Sequence, residues 1–442
     1  MRPINPQSGT LNTRKISLDE TGSATVLSLF MFVIMAMVGA AALDYSNLIA
    51  SRTQLQVAAD LAAHGALYSR ETNDEMTAKA EAIELASFGM PHSRFGDILN
   101  VGDISFGTWD YDTQIFTKTH HSRQAVMVTT SRLASKLNSV ESYLFKLVGI
   151  DRFDVVTSAV YTTYRPACFR EGFVADGIVD IQSNNNYLNG FCIHSNTYVS
   201  VNQNNTYEAG TIVSMPDMTQ IDLPASGFDK NAGLEEALRS AVYRLRIINR
   251  IDDLIAGLVS ADPLYTPDYI TSNLVVPLAG KKFDETDFVP GRIYQLNCSG
   301  SGKATITGNS PIREIVLVSN CEIKFGQGTV LEDVVMATTN TSAKSFNAPS
   351  SLQVGRDDGC AEGGGAQLIT KGGMNFASDL RIFGGQLLAE GDIQFSANAN
   401  GVEGASLITG GTISGTSNMN MGFCNGAGME DNFEANYFRL AG

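Results

Sequence analysis

The hydrophobic pattern divides the chain into a long apolar helix near its beginning and many short alternating strands after it. From Thr21 to Leu43 no residue is charged, and charge returns at Asp44. A run of this length crosses the hydrocarbon core of a bilayer as a helix. Residues 21–43 are therefore predicted to form a transmembrane helix, and residues 1–20 a cytoplasmic tail.

Two further features bear on this run. Basic residues precede it at Arg2, Arg14 and Lys15. Because positive residues are retained on the cytoplasmic side, the chain after the run is predicted to be exported. Ala40 and Ala42 also form the A-x-A pattern of a cleavable signal peptide, which is the alternative. The run exceeds a normal signal-peptide core, and this favours an anchor.

The helical pattern continues beyond the membrane segment. A stripe of small and apolar residues recurs at helical spacing at Leu48, Leu55, Ala59, Ala62 and Ala66. Small residues let another helix approach closely. Two interpretations are open: the stripe packs on a second helix of this chain, or on other membrane-anchored subunits.

A second helix is predicted to follow the capping residues of "SRETNDE" and to end near Gly89 and Pro91. Residues 44–90 are thus a pair of helices. Residues 91–166 contain alternating runs such as "DISFGTWD", "QAVMVTT" and "FDVVTSAVYTT", with one helix predicted at "SVESYLFKLVGI". This part is predicted to be a small α+β unit.

These segments resemble a known family. "DETGSATVLSL", "LDYSNLIASRTQLQVAADLAAHGAL" and the strands up to "VYTTYRP" are similar to the N-terminal module of TadE/TadG-like Flp pilus-assembly proteins. The most specific part is the R-x-x-L-Q-x-A-A-D pattern from Arg52 to Asp60. The resemblance, over about residues 16–166, implies a pilin-like membrane helix that continues into the periplasm.

The rest of the chain contains an internal repeat. "LITKGGMNF" from Leu368, "LLAEGDIQF" from Leu387 and "LITGGTISG" from Leu407 align at a spacing of about 20 residues. "LVSNCEIKF" from Leu317 has the same pattern, and so do earlier copies that begin at Phe173, Ile193 and Ile212. Short strands that recur in this way predict a parallel β-helix (β-solenoid), with a β-sandwich as the alternative.

The repeat is interrupted. The first solenoid part is predicted over residues 167–223 and the second over residues 292–442, with a helical insertion at residues 224–291. Within the insertion, "GLEEALRSAVYRLRIINRIDDLIAGLV" has the spacing of one amphipathic helix. We expect it to cover an open end or side of the solenoid, since exposed sheet edges are usually covered.

All six cysteines follow the apolar run, as expected for disulfides in an exported chain. Six cysteines allow about 15 pairings. Cys168–Cys192 and Cys298–Cys321 each span slightly more than one repeat, so neighbouring coils about 4.8 Å apart could bring them together. Cys360–Cys424 is the pair that remains.

Little in the sequence points to catalysis. A net charge of −15 argues against nucleic-acid binding. There is no G-x-S-x-G or H-E-x-x-H pattern, and no catalytic, cofactor-binding or metal-binding residue is predicted. The acidic clusters at Asp357, Asp358, Glu430 and Asp431 are interpreted as solvated turns; the alternative is a polysaccharide or calcium site on the solenoid.

The resemblance and the patterns together predict a mainly β, single-pass protein of the bacterial inner membrane. It would be a periplasmic structural component of a Flp/Tad-type pilus assembly or secretion system, with other pilus-assembly subunits as partners. The alternative is a membrane-tethered β-helix module that binds or cleaves polysaccharide.

Overall fold

The computed structural model describes residues 21–188, 190–300, 302–415 and 418–441. The chain forms two compact units: unit 1 comprises Met1–Thr163 and Phe438–Gly442, and unit 2 comprises Tyr164–Tyr437. Unit 2 is therefore inserted into unit 1 along the chain. The sequence repeat instead predicts that all residues from 292 to 442 belong to the second solenoid part.

Six α-helices lie in the described residues, and the first is by far the longest. They are α1 Thr21–Arg70, α2 Glu75–Gly89, α3 His92–Phe95, α4 Ala167–Arg170, α5 Leu234–Ala237 and α6 Ile251–Ser260. Short 3-10 segments are Val101–Asp103, Ala134–Lys136, Phe145–Val148, Met218–Gln220, Gly227–Lys230, Ile248–Arg250 and Glu285–Asp287.

Helix α1 has 50 residues and contains a stretch whose length and composition suit a membrane span, with a mean hydropathy of 2.5. Helix α2 begins where expected: Asp74 caps it by accepting a hydrogen bond from the amide of Thr77. It ends at Gly89, as predicted.

Unit 1 contains the small α+β sheet that the alternating runs predict. Its strands are β1 Ile104–Asp110, β2 Ile115–Lys118, β3 Ala125–Arg132, β4 Val140–Glu141, β5 Arg152–Phe153 and β6 Val155–Tyr164. Strands β1, β2, β3 and β6 form one sheet, and β4 pairs with β5 in a separate hairpin. The helix predicted at "SVESYLFKLVGI" is wrong, since only Phe145–Val148 forms a 3-10 turn. Hairpin pairing holds the residues on either side of that turn, so an α-helix cannot extend over them.

Unit 2 is dominated by one large sheet. Its first strands are β7 Gly172–Ala175, β8 Val179–Ile181, β9 Asn186–Tyr187, β10 Cys192–Ser195, β11 Val199–Val201, β12 Asn205–Tyr207, β13 Ile212–Met215, β14 Asn231–Ala232 and β15 Leu238–Ser240. The next are β16 Val275–Leu278, β17 Lys282–Phe283, β18 Arg292–Leu296, β19 Lys303–Ile306, β20 Ile312–Ser319, β21 Glu322–Phe325, β22 Val330–Thr338, β23 Phe346–Ala348 and β24 Gln353–Val354. The last are β25 Ala366–Thr370, β26 Met374–Ala389, β27 Ile393–Thr409, β28 Ile413–Ser414 and β29 Asn420–Gly422.

All described strand pairs of this sheet are parallel, and their register follows the sequence repeat. Leu368 pairs with Leu387, and Leu387 pairs with Leu407. The other aligned repeats enter the same column, which runs Tyr294, Leu317, Met336, Leu368, Leu387, Leu407, Phe173, Ile193, Val213 and Leu238. The copy aligned from Ile212 is shifted by one residue relative to this column, because Val213 is the residue that lies opposite Ile193.

The order of the strands in space differs from their order in the chain. Strand β27, near the end of the repeat, pairs with β7 at its beginning: Leu407 lies opposite Phe173. Strands β28 and β29 likewise pair with β8 and β9. The early repeats therefore continue the sheet beyond the late ones, and the chain between β15 and β16 joins its two ends.

Most buried side chains of unit 2 form one apolar cluster. A second cluster lies where residues of α6 cover the other side of the central strands. Leu254 and Leu258 of α6 belong to this cluster together with Val335 and Ile369. The insertion thus covers a side of the parallel sheet.

The prediction of one long helix in this insertion is wrong. After the four residues of α5, Leu238–Ser240 forms strand β15 and pairs with β13. Helix resumes only in α6. Pairing with the otherwise free edge of β13 outweighs the helical spacing of this segment, since tertiary context overrides intrinsic propensity.

The last strand, β30 Tyr437–Leu440, lies beside β6 in the sheet of unit 1. The backbone amide of Ala441 also donates a hydrogen bond to the carbonyl of Val160, at 2.8 Å. The expectation that the repeat continues to residue 442 is therefore wrong, because the strand pairs with β6 instead of with another repeat.

Candidate membrane-proximal site

Asp44, the first charged residue after the apolar run, is the centre of a compact polar arrangement in unit 1. Its side chain is 1% exposed. Four donors from one loop surround the carboxylate: Ser142 Oγ at 2.9 Å, and the backbone amides of Tyr143 at 2.6 Å, Leu144 at 2.9 Å and Phe145 at 2.6 Å. The loop is thereby fixed to α1 where the apolar run ends.

The hydrogen bonds decide the charge of this carboxyl group. Burial alone would raise the pKa of Asp44, but donors from residues 142–145 outweigh burial and lower the pKa to about 2. The folded pKa lies below the ordinary value of 3.8, so this contribution to stability is present above that pH. It is lost as the pH falls towards 2.

Asp44→Asn is expected to release the loop from α1, since an amide accepts fewer hydrogen bonds and presents N–H groups to N–H donors. Hydrogen exchange on the full chain in detergent should then be roughly tenfold faster or more at amides 143–145. Asp60→Asn, on the same helix, is the control and should leave these amides protected. Unchanged protection in Asp44→Asn would contradict the anchoring role.

Other contacts extend along the same side of α1. Asn47 Nδ2 donates to the carbonyl of Glu141 at 3.1 Å. One helical turn further on, Ser51 and Ser139 line an open cleft of about 480 Å³. Arg132 also lines this cleft, and its Nε donates to the carbonyl of Asn138 at 2.9 Å. The loop therefore descends along α1 towards the apolar run.

The predicted helix-packing face lies inside unit 1. Leu55, Ala59, Ala62 and Ala66 are fully buried, in a cluster with Ala78, Ala82 and Ala86 of α2. Of the two interpretations of this face, packing on the chain's own second helix is the correct one. A partner subunit cannot reach these alanines, since α2 and the sheet already cover them.

A different face of α1 is exposed. Ile49, Val57 and Leu61 recur at helical spacing, and Val57 is 60% exposed. Sequence spacing alone did not separate this face from the alanine face, because both carry apolar residues. In the structure, α2 covers the alanine face and leaves the face of Ile49, Val57 and Leu61 exposed.

The six cysteines form three disulfides in unit 2. They are Cys168–Cys192, Cys298–Cys321 and Cys360–Cys424, with Cα–Cα distances of 4.9, 5.4 and 5.7 Å. The first two are the pairs that the sequence spacing favours, and the third is the pair that remains; all three predictions are confirmed. In the described part of the chain, Cys360, Glu403 and Cys424 are side chains of metal-binding types that lie close together. The sulfur atoms of the two cysteines are joined in a disulfide, so they are not metal ligands.

The acidic clusters lie in turns of unit 2. Asp358 accepts hydrogen bonds from Arg356 Nε at 2.5 Å and from the amide of Ala361 at 3.0 Å. Burial raises the pKa of Asp431, and nearby carboxylates, first among them Asp333, raise it further. These contacts give Asp358 a local structural role.

Residues 172–425 match the family described as a domain of unknown function, DUF7867. This match covers more than half of the chain. The chain belongs to the DUF7867 family. Residues 22–69 separately match the family described as putative Flp pilus-assembly TadE/G-like. The resemblance carried by Arg52 to Asp60 is thus confirmed, over a shorter segment than expected. Comparison with curated proteins gives no match, and comparison with solved structures gives none.

Immediately before the DUF7867 region lies a buried carboxyl group that the sequence pattern did not reveal. Glu171 is fully buried and accepts hydrogen bonds from the amides of Cys424 at 2.6 Å and Gly426 at 3.4 Å. Burial raises the pKa of Glu171 to about 7, against the opposing effect of these donors. The contact depends on the strand order that brings residue 424 next to residue 171. The sequence repeat does not predict that order.

The unfolding free energy of the chain is expected to reflect this carboxyl group. Because the folded pKa lies above the ordinary value of 4.5, the folded state binds more protons between pH 4.5 and 7, and stability falls as the pH rises through that window. The fall due to Glu171 should reach about 3 kcal/mol. Urea unfolding at several pH values should lose this slope in Glu171→Gln and retain it in the exposed control Glu235→Gln; an equal slope in both would contradict the assignment.

Proposed function

We propose that the protein is a single-pass, membrane-anchored structural component of a Flp/Tad-type pilus-assembly or secretion system. The observation that carries this is α1: one continuous helix holds the apolar run and the segment that matches the TadE/G-like family. An apolar helix of this kind fits a membrane anchor in a Tad-type protein. The part of α1 that follows the apolar run belongs to unit 1, so this one helix attaches the anchor to that unit.

The proposed orientation places the N-terminus in the cytoplasm and the rest of the chain in the periplasm of a bacterial inner membrane. Two features support it. Arg2, Arg14 and Lys15 precede the apolar run, in keeping with positive charge on the cytoplasmic side. All three disulfides follow the run, and disulfides persist in oxidising compartments such as the periplasm.

The partner surface on α1 is proposed to be the exposed apolar face of Ile49, Val57 and Leu61. It lies inside the segment that matches the TadE/G-like family. Exposed apolar residues at helical spacing suit packing against another helix. The proposed occupant is the membrane-anchored helix of another pilus-assembly subunit.

We further propose that β7–β29 wind into a β-solenoid. Three observations support this: the described pairs are all parallel, the register advances by about one sequence repeat, and equivalent apolar residues fall in one column. A buried asparagine ladder adds a fourth. Asn185, Asn205 and Asn231 are linked by hydrogen bonds from each amide to the next Oδ1, as stacked turns permit.

The solenoid is proposed to have a structural rather than a catalytic role. A polysaccharide-acting site would be expected to show carboxylates and basic residues in a row. Along a second face of the sheet, a row of partly or fully exposed residues instead runs Lys282, Thr305, Lys324, Asn347, Asn375, Gln394, Ser414, Asp180 and Ser200, so amides and hydroxyls separate its lysines from its aspartate. Asn375 Nδ2 donates to Gln394 Oε1 at 3.0 Å along this row. Such a surface suits a rigid scaffold.

Photo-crosslinking in living cells tests the partner surface. Benzoylphenylalanine at Val57 or Leu61 should crosslink to known Flp pilus-assembly subunits, identified by mass spectrometry. The matched control is Ile115, which is 57% exposed in the same unit and lies outside the face. Crosslinks to the same subunits from Ile115, or none from Val57 and Leu61, would contradict the proposed surface.

A further inference from the structure

We propose that the tip of the β4–β5 hairpin, residues 143–150, inserts into the interfacial region of the lipid bilayer. Unit 1 would then touch the membrane twice, through α1 and through this tip. The proposal rests on α1 crossing a membrane and adds a lipid-binding surface to it. The partner is a lipid surface.

The tip lies at a defined level along α1. Contacts with the loop fall in order along the helix: Ser139 shares a cleft with Ser51, Glu141 binds Asn47, and Phe145 binds Asp44. Each helical residue advances about 1.5 Å along the axis. The chain therefore approaches the apolar run as it advances, and residues 146–149 come after the contact with Asp44, where that run ends.

The exposure of residues along α1 places the tip at the same level of the helix. Side chains from Ala24 to Gly39 are exposed, Ala40 and Ala41 are half-buried, and Asp44 is buried. The 3-10 turn Phe145–Val148 contacts α1. The tip thus lies at the level of α1 where the apolar run ends, which is the level expected for the membrane interface.

The side chains of the tip are suited to contact with lipid. It exposes large apolar side chains: Leu147 is 80% exposed, Val148 is 68% exposed, and Tyr143 and Ile150 are also exposed. Exposed apolar residues that lie together mark surfaces for a partner or a membrane. Their position beside the apolar run favours lipid.

Aromatic and basic residues surround these apolar side chains. Tyr143 and Tyr45 are both exposed near the end of the run, and tyrosines are enriched at membrane–water interfaces. Lys146 within the tip and Arg152 beside it are also exposed. Long basic side chains can keep their charge at the headgroups while their carbon stems lie deeper.

The tip also has internal hydrogen bonds that suit a low-dielectric environment. Three of its backbone amides are paired within the loop: Leu147 donates to Leu144, Gly149 to Lys146 and Ile150 to Phe145. Unpaired amides would make entry into lipid costly. Phe145 also packs edge-to-face on Phe153 at the base of the hairpin, so little conformational freedom remains to be lost on insertion.

Tryptophan quenching in lipid nanodiscs tests the proposal on the full chain. The native Trp109 is first replaced with Trp109→Phe, and Val148→Trp is added. The nanodiscs contain phosphatidylcholine with bromine close to the headgroup end of the acyl chains, or the same lipid without bromine. Bromine should remove roughly half of the fluorescence of Val148→Trp, as at the aromatic belt of a membrane protein. Leu147→Trp, at another exposed position, repeats the measurement if Val148→Trp misfolds.

Two control variants separate the tip from the anchor. Val38→Trp, at an exposed position near the end of the apolar run, should be quenched, and Ile115→Trp, on exposed β2, should not. Quenching at Val38→Trp without quenching at Val148→Trp or Leu147→Trp would overturn the tip proposal and leave the anchor intact. No quenching at Val38→Trp would overturn the anchor and the tip proposal together.

Discussion

Gly355→Ala is expected to destabilise unit 2 by more than about 4 kcal/mol, or to prevent its folding. Gly355 follows β24 with a φ of +90°, a conformation that costs an L-residue about 1 kcal/mol or more. A Cβ placed on it would lie 1.6 Å from the carbonyl oxygen of Phe383 and 2.7 Å from its carbon. These are backbone atoms of the neighbouring strand β26, so relief requires the two strands to separate.

Gly328→Ala is the matched control for this prediction. Gly328 also has a positive φ, +77°, but a Cβ there would meet nothing within 4 Å. Only the conformational cost of about 1 kcal/mol is expected. Urea unfolding followed by circular dichroism measures both variants. Equal midpoints for the two would show that the close approach of adjacent strands at Gly355 is not a requirement of the fold.

Asn205→Ala is expected to cost about 2–4 kcal/mol of unfolding free energy. The Oδ1 atom of Asn205 accepts hydrogen bonds from the backbone amide of Asn185 at 2.9 Å and from its Nδ2 at 3.0 Å. Alanine would leave that buried amide without its acceptor and would create a cavity. The same measurement of urea unfolding applies.

Asn186→Ala provides the comparison for the ladder. Asn186 is next to Asn185 but exposed, and its Nδ2 donates to Asn420 Oδ1 at 2.7 Å. A surface change of this kind should alter stability by about 0.5 kcal/mol at most. If Asn186→Ala and Asn205→Ala cost the same, the buried ladder would not be the source of the stabilisation.

The ladder matters because it crosses the junction between the late and early repeats. Asn185 Oδ1 also accepts a hydrogen bond from the backbone amide of Met419, at 3.2 Å. The link from Met419 through Asn185 and Asn205 to Asn231 joins parts of the chain that are more than 200 residues apart in sequence. Loss of this hydrogen-bonded ladder would separate the two parts of the proposed solenoid.

The sequence predicts the register of the parallel sheet better than its order. Leu317, Leu368, Leu387 and Leu407 share one column because they share one position in the repeat. The pairing of Leu407 with Phe173 is not predictable in this way. Every end repeat offers the same apolar pattern to a neighbour, so periodicity alone does not say which two ends meet.

The membrane-proximal site illustrates a similar limit. Asp44 marks the end of the apolar run in sequence, but its donors lie about 100 residues further along the chain. Nothing local in "SVESYLF" distinguishes a loop that binds a carboxylate from an ordinary turn. The spacing of the alanines at 59, 62 and 66 predicts a packing face, but the partner of that face depends on where α2 folds back. The long helix predicted from Leu234 failed because a free strand edge competes for Leu238.

The fold suggests how the parts would act together in the proposed function. Helix α1 joins the membrane segment rigidly to unit 1, since no break interrupts Thr21–Arg70. Asp44 adds a second attachment beside the membrane, and the proposed lipid contact of residues 143–150 would add a third. A tether of this kind restricts the tilt of unit 1 at the membrane.

The most direct test of the proposed function is to count Flp pili by electron microscopy on cells that lack this chain. We expect the pili to be lost, the native chain to restore them and the double variant Val57→Asp/Leu61→Asp to fail to restore them. Ile115→Asp, equally exposed and away from the α1 face, should restore them. A normal number of pili on cells without the chain would contradict the proposed role in pilus assembly.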